Sequence, residues 1–109
     1  MYCVGIDLGG TTIKAGIVDE DYRIVKSGSV PTVLDGGAPQ IVRDMAELVS
    51  GLLDETGIGM DEIASVGLGV PGTANKKTGV LEYANNLHMK DEPFIRLLKH
   101  YFKKPAYFT

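Results

Sequence analysis

The chain has 109 residues, enough for one domain and not comfortably for two. Apolar residues make up 44% and charged residues 23%, ordinary globular values. A net charge of −3 argues against nucleic acid as the main partner, the lone Cys3 excludes a disulfide framework or a cysteine metal site, and no apolar run reaches the roughly 18 residues that a membrane span needs. No signal peptide precedes the first strand, so the expectation is a soluble cytoplasmic protein without a membrane partner.

Residues 2–8, YCVGIDL, form an apolar run too short for a helix and rich in strand formers. They read as a buried strand, with Cys3 expected as a small buried hydrophobe inside it. Residues 11–19 alternate, with Ile13, Ala15 and Ile17 on one face and Thr12, Lys14, Gly16 and Val18 on the other. Glu20 and Asp21 supply a turn, and residues 22–30 alternate again, so the opening reads as an antiparallel meander of three strands. A Pro- and Gly-rich loop over 31–38 leads to a helix whose stripe is Ile41, Met45, Leu48, Val49, Leu52 and Leu53, with Gly57 as its C-cap.

Residues 63–70, IASVGLGV, read as a fourth strand buried on both faces. Residues 71–87 form a long polar excursion with room for a short strand at 80–83. Asp91 is expected to cap a second helix, with Pro93 in its first turn and Phe94, Leu97, Leu98, Tyr101 and Phe102 on its apolar face. Pro105 ends that helix, and residues 106–109 begin another strand. The order predicts an α/β domain with a mixed sheet: the meander, then helix-strand-helix-strand.

Three kinds of glycine loop are separable here. No G-x-x-x-x-G-K-[ST] string is present. Gly67, Gly69 and Gly72 match the dinucleotide string, but Pro71 sits inside it and no helical stripe follows. The third kind, a glycine turn between antiparallel strands, fits GIDLGGTTIKAG at 5–16. Gly9 and Gly10 can take positive φ, so that successive N–H groups converge on an anion, with hydroxyls from Thr11 and Thr12 beside them. Asp7 ends the strand and can hold a hydrated Mg²⁺, and Lys14 can neutralise charge. A plain hairpin with a glycine turn would account for the glycines but not for a carboxylate at the tip of an apolar strand.

The set Asp7, Gly9, Gly10, Thr11 and Lys14 resembles the first phosphate motif of the ROK sugar kinases, of glucokinase type. Residues 67–87 and the trailing DEPFIRLLKHYFKKPAYFT are similar to later parts of the same family, so the resemblance covers essentially the whole chain. It implies the actin-like ATPase, ribonuclease H-like fold and transfer of the γ-phosphate of ATP to a hexose hydroxyl, glucose foremost. On it, Gly9, Gly10, Thr11, Thr12 and Lys14 contact ATP phosphates, Asp7 positions Mg²⁺ through water, and Gly72, Asn85 and Asn86 approach the sugar. Glu82, His88 and His100 read as surface residues. The resemblance also implies that residues 1–109 are the N-terminal part of a longer enzyme. No catalytic residue then falls within the chain: the general-base aspartate is expected just after Thr109, and a zinc site in a C-terminal domain. The chain alone is expected not to turn over, and a homo-oligomer fits the apolar surface that half a cleft leaves open. Kinases for fructose, allose or N-acetylmannosamine, a sugar-responsive transcriptional regulator, and a nucleotide-free interaction module are the alternatives. A regulator of this family carries a helix-turn-helix ahead of the Asp-Gly-Gly region, and with the first strand expected from Tyr2 none is expected within residues 1–109.

Overall fold

The computed structural model describes residues 1–109. Strands β1 (Tyr2–Leu8), β2 (Thr12–Val18) and β3 (Ile24–Pro31) form the expected antiparallel meander. Helix α1 (Gly37–Thr56) follows, then β4 (Ile63–Gly69), a second sheet, helix α2 (Phe94–Phe102) and β8 (Ala106–Phe108). The main sheet has the order β3-β2-β1-β4-β8, with β1, β4 and β8 parallel.

Both helices cover one face of this sheet. Val4, Ile6 and Leu8 of β1, Ile13, Ala15 and Ile17 of β2, and Val66 and Leu68 of β4 point into it and pack in one cluster with Ile41, Met45, Val49 and Leu52 of α1. Each such aliphatic side chain removed from water contributes on the order of 1.5–3 kcal/mol, which makes this layer the main source of stability. Helix α1 stops at Gly57, whose φ of 75° is left-handed and whose N–H donates to the Leu53 carbonyl at 2.9 Å.

The opposite face has no helix over it, which corrects two expectations. Cys3 is exposed, with the Ser65 hydroxyl donating to its Sγ at 3.5 Å. Strand β4 buries Val66 and Leu68 toward the helices, while its other face carries Ser65, Gly67 and Gly69. Gly16, Gly5 and Gly67 stand in register across β2, β1 and β4, a row without side chains down the open face.

The excursion after β4 is more ordered than its composition suggests. Strands β5 (Thr73–Asn75), β6 (Val80–Ala84) and β7 (Met89–Glu92) make a separate antiparallel sheet. The Asn75 Oδ1 accepts from the N–H groups of Lys77 and Thr78 and shapes the turn from β5 to β6. Leu81, Ala84, Leu87 and Met89 sink into the same core as Phe94 and Ile95 of α2. Asp91, expected as a helix cap, lies within β7 at φ 55°, and α2 starts after Pro93 with no side-chain cap. Its C-terminus is set by Lys103 in the left-handed region, two residues before Pro105. Strand β3 starts at Ile24 because Tyr22, at φ 62°, is still turning.

Candidate functional site

The three parallel strands end together. At that edge β1 delivers Asp7, β4 delivers Gly69 and β8 delivers Thr109, and ligands of open α/β sheets bind outside such carboxyl ends. A Cβ placed on Gly69 would lie 3.4 Å from the Thr109 Oγ1 and 3.7 Å from an oxygen of Asp7, so the bare glycine keeps these two polar groups accessible to each other. A groove of about 460 Å³ runs from here over the open sheet face, with Asp7, Lys14, Gly16, Gly67 and Thr109 in its wall.

Asp7 is exposed and stands opposite Lys14 in register, yet forms no salt bridge. It is a single carboxylate without other acidic, His or Cys ligands clustered round it. One carboxylate completed by water and phosphate oxygens suits Mg²⁺, a hard cation that binds few protein groups, so the residues fit that ion. When bound it would supply charge neutralisation at phosphate oxygens.

The turn from β1 to β2 differs from the sequence expectation. Neither Gly9 nor Gly10 has a positive φ. The Gly9 N–H does not face outward: it donates to the Thr12 carbonyl at 3.0 Å. Glycine is needed at position 9 for another reason, since a Cβ would come within 2.8 Å of that same carbonyl. Free donors remain nonetheless. The N–H groups of Gly10 and Thr11 have no partner in the protein, and the hydroxyls of Thr11 and Thr12 have none either. The turn therefore offers donors from its tip rather than from a left-handed nest.

Gly72 also has a structural reason. Its φ is 93°, and the space a Cβ would take is filled by the Tyr83 carbonyl and the backbone of Ala84. The close approach that the structure shows at this glycine is to the backbone of β6. Asn85 and Asn86 sit on one turn of 3₁₀ helix (Asn85–Leu87) after β6, both exposed. The Asn85 Oδ1 accepts from the Tyr83 hydroxyl at 3.2 Å, so Asn85 is not spent capping its own loop. Asn86 lies across from the turn between β1 and β2, with its Cβ 3.8 Å from where a Gly10 Cβ would be. Glu82, His88 and His100 are exposed, as expected. Sequence reasoning missed Thr32, Gly69 and Thr109. Of these, only Gly69, a glycine ending an apolar strand, carries a local signal.

A meander followed by α-β-α-β, with an acid-tipped first strand and a donor turn at the sheet's carboxyl edge, defines the actin-like ATPase class of fold. Comparison with known proteins narrows this. The model of the ROK family matches residues 3–109, and the chain belongs to that family. It is 32% identical over 83 residues to a glucokinase of Thermotoga maritima, covering 76% of this chain and 25% of that protein. It is 32% identical over 92 residues to an N-acetyl-D-glucosamine kinase of Haemophilus influenzae, covering 84% of this chain and 29% of that one. Among solved structures, the ROK family glucokinase of Streptomyces griseus in complex with glucose and AMPPNP superposes with a TM-score of 0.85 at 29% identity, over 99% of this chain and 32% of that one. The chain thus spans about a quarter of the length of the curated relatives it matches.

Proposed function

We propose that this chain is the N-terminal part of an ATP-dependent hexose kinase, acting foremost on glucose, that brings phosphate-contacting and sugar-contacting loops together. Within it, Gly10, Thr11 and Thr12 hold ATP phosphates by main-chain and hydroxyl donors. Lys14 adds positive charge, and Asp7 holds Mg²⁺ through water. Asn85 and Asn86 meet sugar hydroxyls, to which an amide can both donate and accept. Such positioning with charge neutralisation is most of what phosphoryl transfer asks of a protein. The general-base aspartate and the rest of the sugar site belong to the sequence that follows Thr109 in the longer enzyme. Thr109 beside Asp7 and Gly69 supports this, because the next residues of such a chain emerge at the same edge.

The observation that carries the reading is the approach of the two loops: the turn at Gly10 faces Asn86 across a gap that a single methyl would fill, since a Cβ on Gly10 would lie 3.8 Å from the Asn86 Cβ. The glucokinase relative and the glucose complex favour glucose. The N-acetylglucosamine kinase relative makes an N-acetylated hexose the second reading.

The test is a titration of the ¹⁵N-labelled chain with Mg-AMPPNP, followed by glucose. Nucleotide is expected to move the amides of Gly10 to Lys14, and glucose those of Asn85 and Asn86, with weak affinity because half the cleft is supplied elsewhere. A folded chain in which neither set moves would overturn the proposal. The chain alone is expected to form no ADP in the presence of glucose and ATP.

A further inference from the structure

Thr32 lies just past the end of β3, and no motif includes it. Its hydroxyl donates to the Gly9 carbonyl at 2.9 Å, and its N–H donates to the Thr11 carbonyl at 2.9 Å. These two bonds grip both sides of the Gly9–Gly10–Thr11 turn from a neighbouring strand, and the hydroxyl bond is partly buried. We infer that Thr32 is the positioning residue of the phosphate turn, fixing the peptides of Gly9–Gly10 and Thr11–Thr12 so that their N–H groups face an incoming polyphosphate. The inference rests on the reading of the turn proposed above.

The argument is geometric. All peptide bonds here are trans. In a trans peptide the carbonyl and the following N–H point in opposite directions. With the Gly9 carbonyl drawn toward Thr32, the Gly10 N–H is turned away from it. With the Thr11 carbonyl drawn the same way, so is the N–H of Thr12. The Gly10 N–H has no acceptor in the protein, so this orientation leaves it free for an external one. Two adjacent glycines are also the most flexible pair a chain can place in a turn. Without an outside tether they sample many orientations, and a ligand must then order them at a cost to its affinity. Thr32 removes that freedom beforehand. It touches no ligand itself, since its donors are already engaged with the turn.

The test compares Thr32→Val, which keeps the shape and the backbone N–H but loses the hydroxyl, with Thr32→Ser, which keeps it. The probe is Mg²⁺ with inorganic tripolyphosphate, followed at the amides of Gly10 and Thr12. Val is expected to weaken binding about three- to tenfold, the range of one neutral hydrogen bond, while Ser stays within about twofold of the parent chain. The Gly9–Thr11 amides of unliganded Thr32→Val are expected to lose order in ¹⁵N relaxation. A core variant, Val49→Ala, controls for stability alone and is expected to bind like the parent. Equal binding by Thr32→Val and the parent overturns this inference and leaves the proposed function standing. A parent chain that binds no polyphosphate overturns both.

Discussion

Gly10 and Asn86 meet where the main sheet's first turn faces the second sheet: a methyl on the glycine would stop 3.8 Å from the asparagine Cβ, an ordinary contact. Gly10 also has no positive φ that a side chain would strain. Gly10→Ala is therefore expected to fold with stability equal to the parent or up to about 1 kcal/mol higher, through loss of unfolded-state freedom. It narrows the passage between the two loops, and Mg-polyphosphate binding is expected to fall. Gly9→Ala makes the opposite case, since its Cβ meets the Thr12 carbonyl at 2.8 Å. There a loss of about 1–3 kcal/mol is expected in urea unfolding. Equal stability of the two variants would show that the turn is not built as described.

Asp7→Asn separates binding from folding. The carboxylate is exposed and in no salt bridge, so its loss is expected to change stability by less than about 0.5 kcal/mol. Polyphosphate binding by the parent chain is expected to strengthen with Mg²⁺, and binding by the variant to be indifferent to it. Paired titrations with and without the metal decide the matter, and an unchanged Mg²⁺ response places the ion elsewhere.

Gly72→Ala tests the second sheet. A side chain there needs a φ of 93° and collides with the β6 backbone at Tyr83 and Ala84. The expected cost exceeds about 2 kcal/mol, with the amides of β5 and β6 losing hydrogen-exchange protection before those of β1. Uniform loss of protection would mean that the two sheets unfold as one.

The chain terminus gives a pH dependence of known sign. The Met1 ammonium donates to a Glu20 oxygen at 2.7 Å, and this hydrogen bond raises the ammonium above its usual 8.0 and holds Glu20 below its usual 4.5. A raised ammonium stabilises the fold fully below its unfolded value and stops doing so as pH rises through the folded one. A lowered carboxylate stabilises above its unfolded value and ceases to as pH falls through the folded one. The pair therefore acts between about pH 4.5 and 8 and fades on either side. Both groups are exposed, so the effect is small. Glu20→Gln is expected to flatten both flanks of the thermal midpoint against pH, with the plateau shifted only slightly.

Much of this fold is legible in the sequence, and the failures share a cause. Ile13, Ala15 and Ile17 alternate with Thr12, Lys14 and Gly16, and the α1 stripe ends at a glycine, so these elements announce themselves. Strand β1 does not declare its faces, because Cys3 and Gly5 pass for apolar positions beside Val4 and Ile6. In fact they lie on the open side with Asp7. Ser65, Gly67 and Gly69 blur β4 in the same way. Strands β5 and β7 have three and four residues, too few to show a period, and exist because they pair with β6. Asp91 has the residue type of a helix cap, yet it sits in the left-handed region within β7, two residues before Pro93. At the site, the sequence marks Asp7, Gly9, Gly10 and Asn86. The grip of Thr32 on the turn joins residues 23 positions apart in the chain, which no local pattern encodes.

The second sheet is also fastened to α2 at Gly79, whose carbonyl accepts from the Ile95 N–H at 3.2 Å and where a Cβ would come within 2.8 Å of the Ile95 side chain. The platform that carries Asn85 and Asn86 thus takes its tilt from a helix lying outside the cleft. A change of side chain at Ile95 would therefore be felt at those two asparagines through the turn before β6.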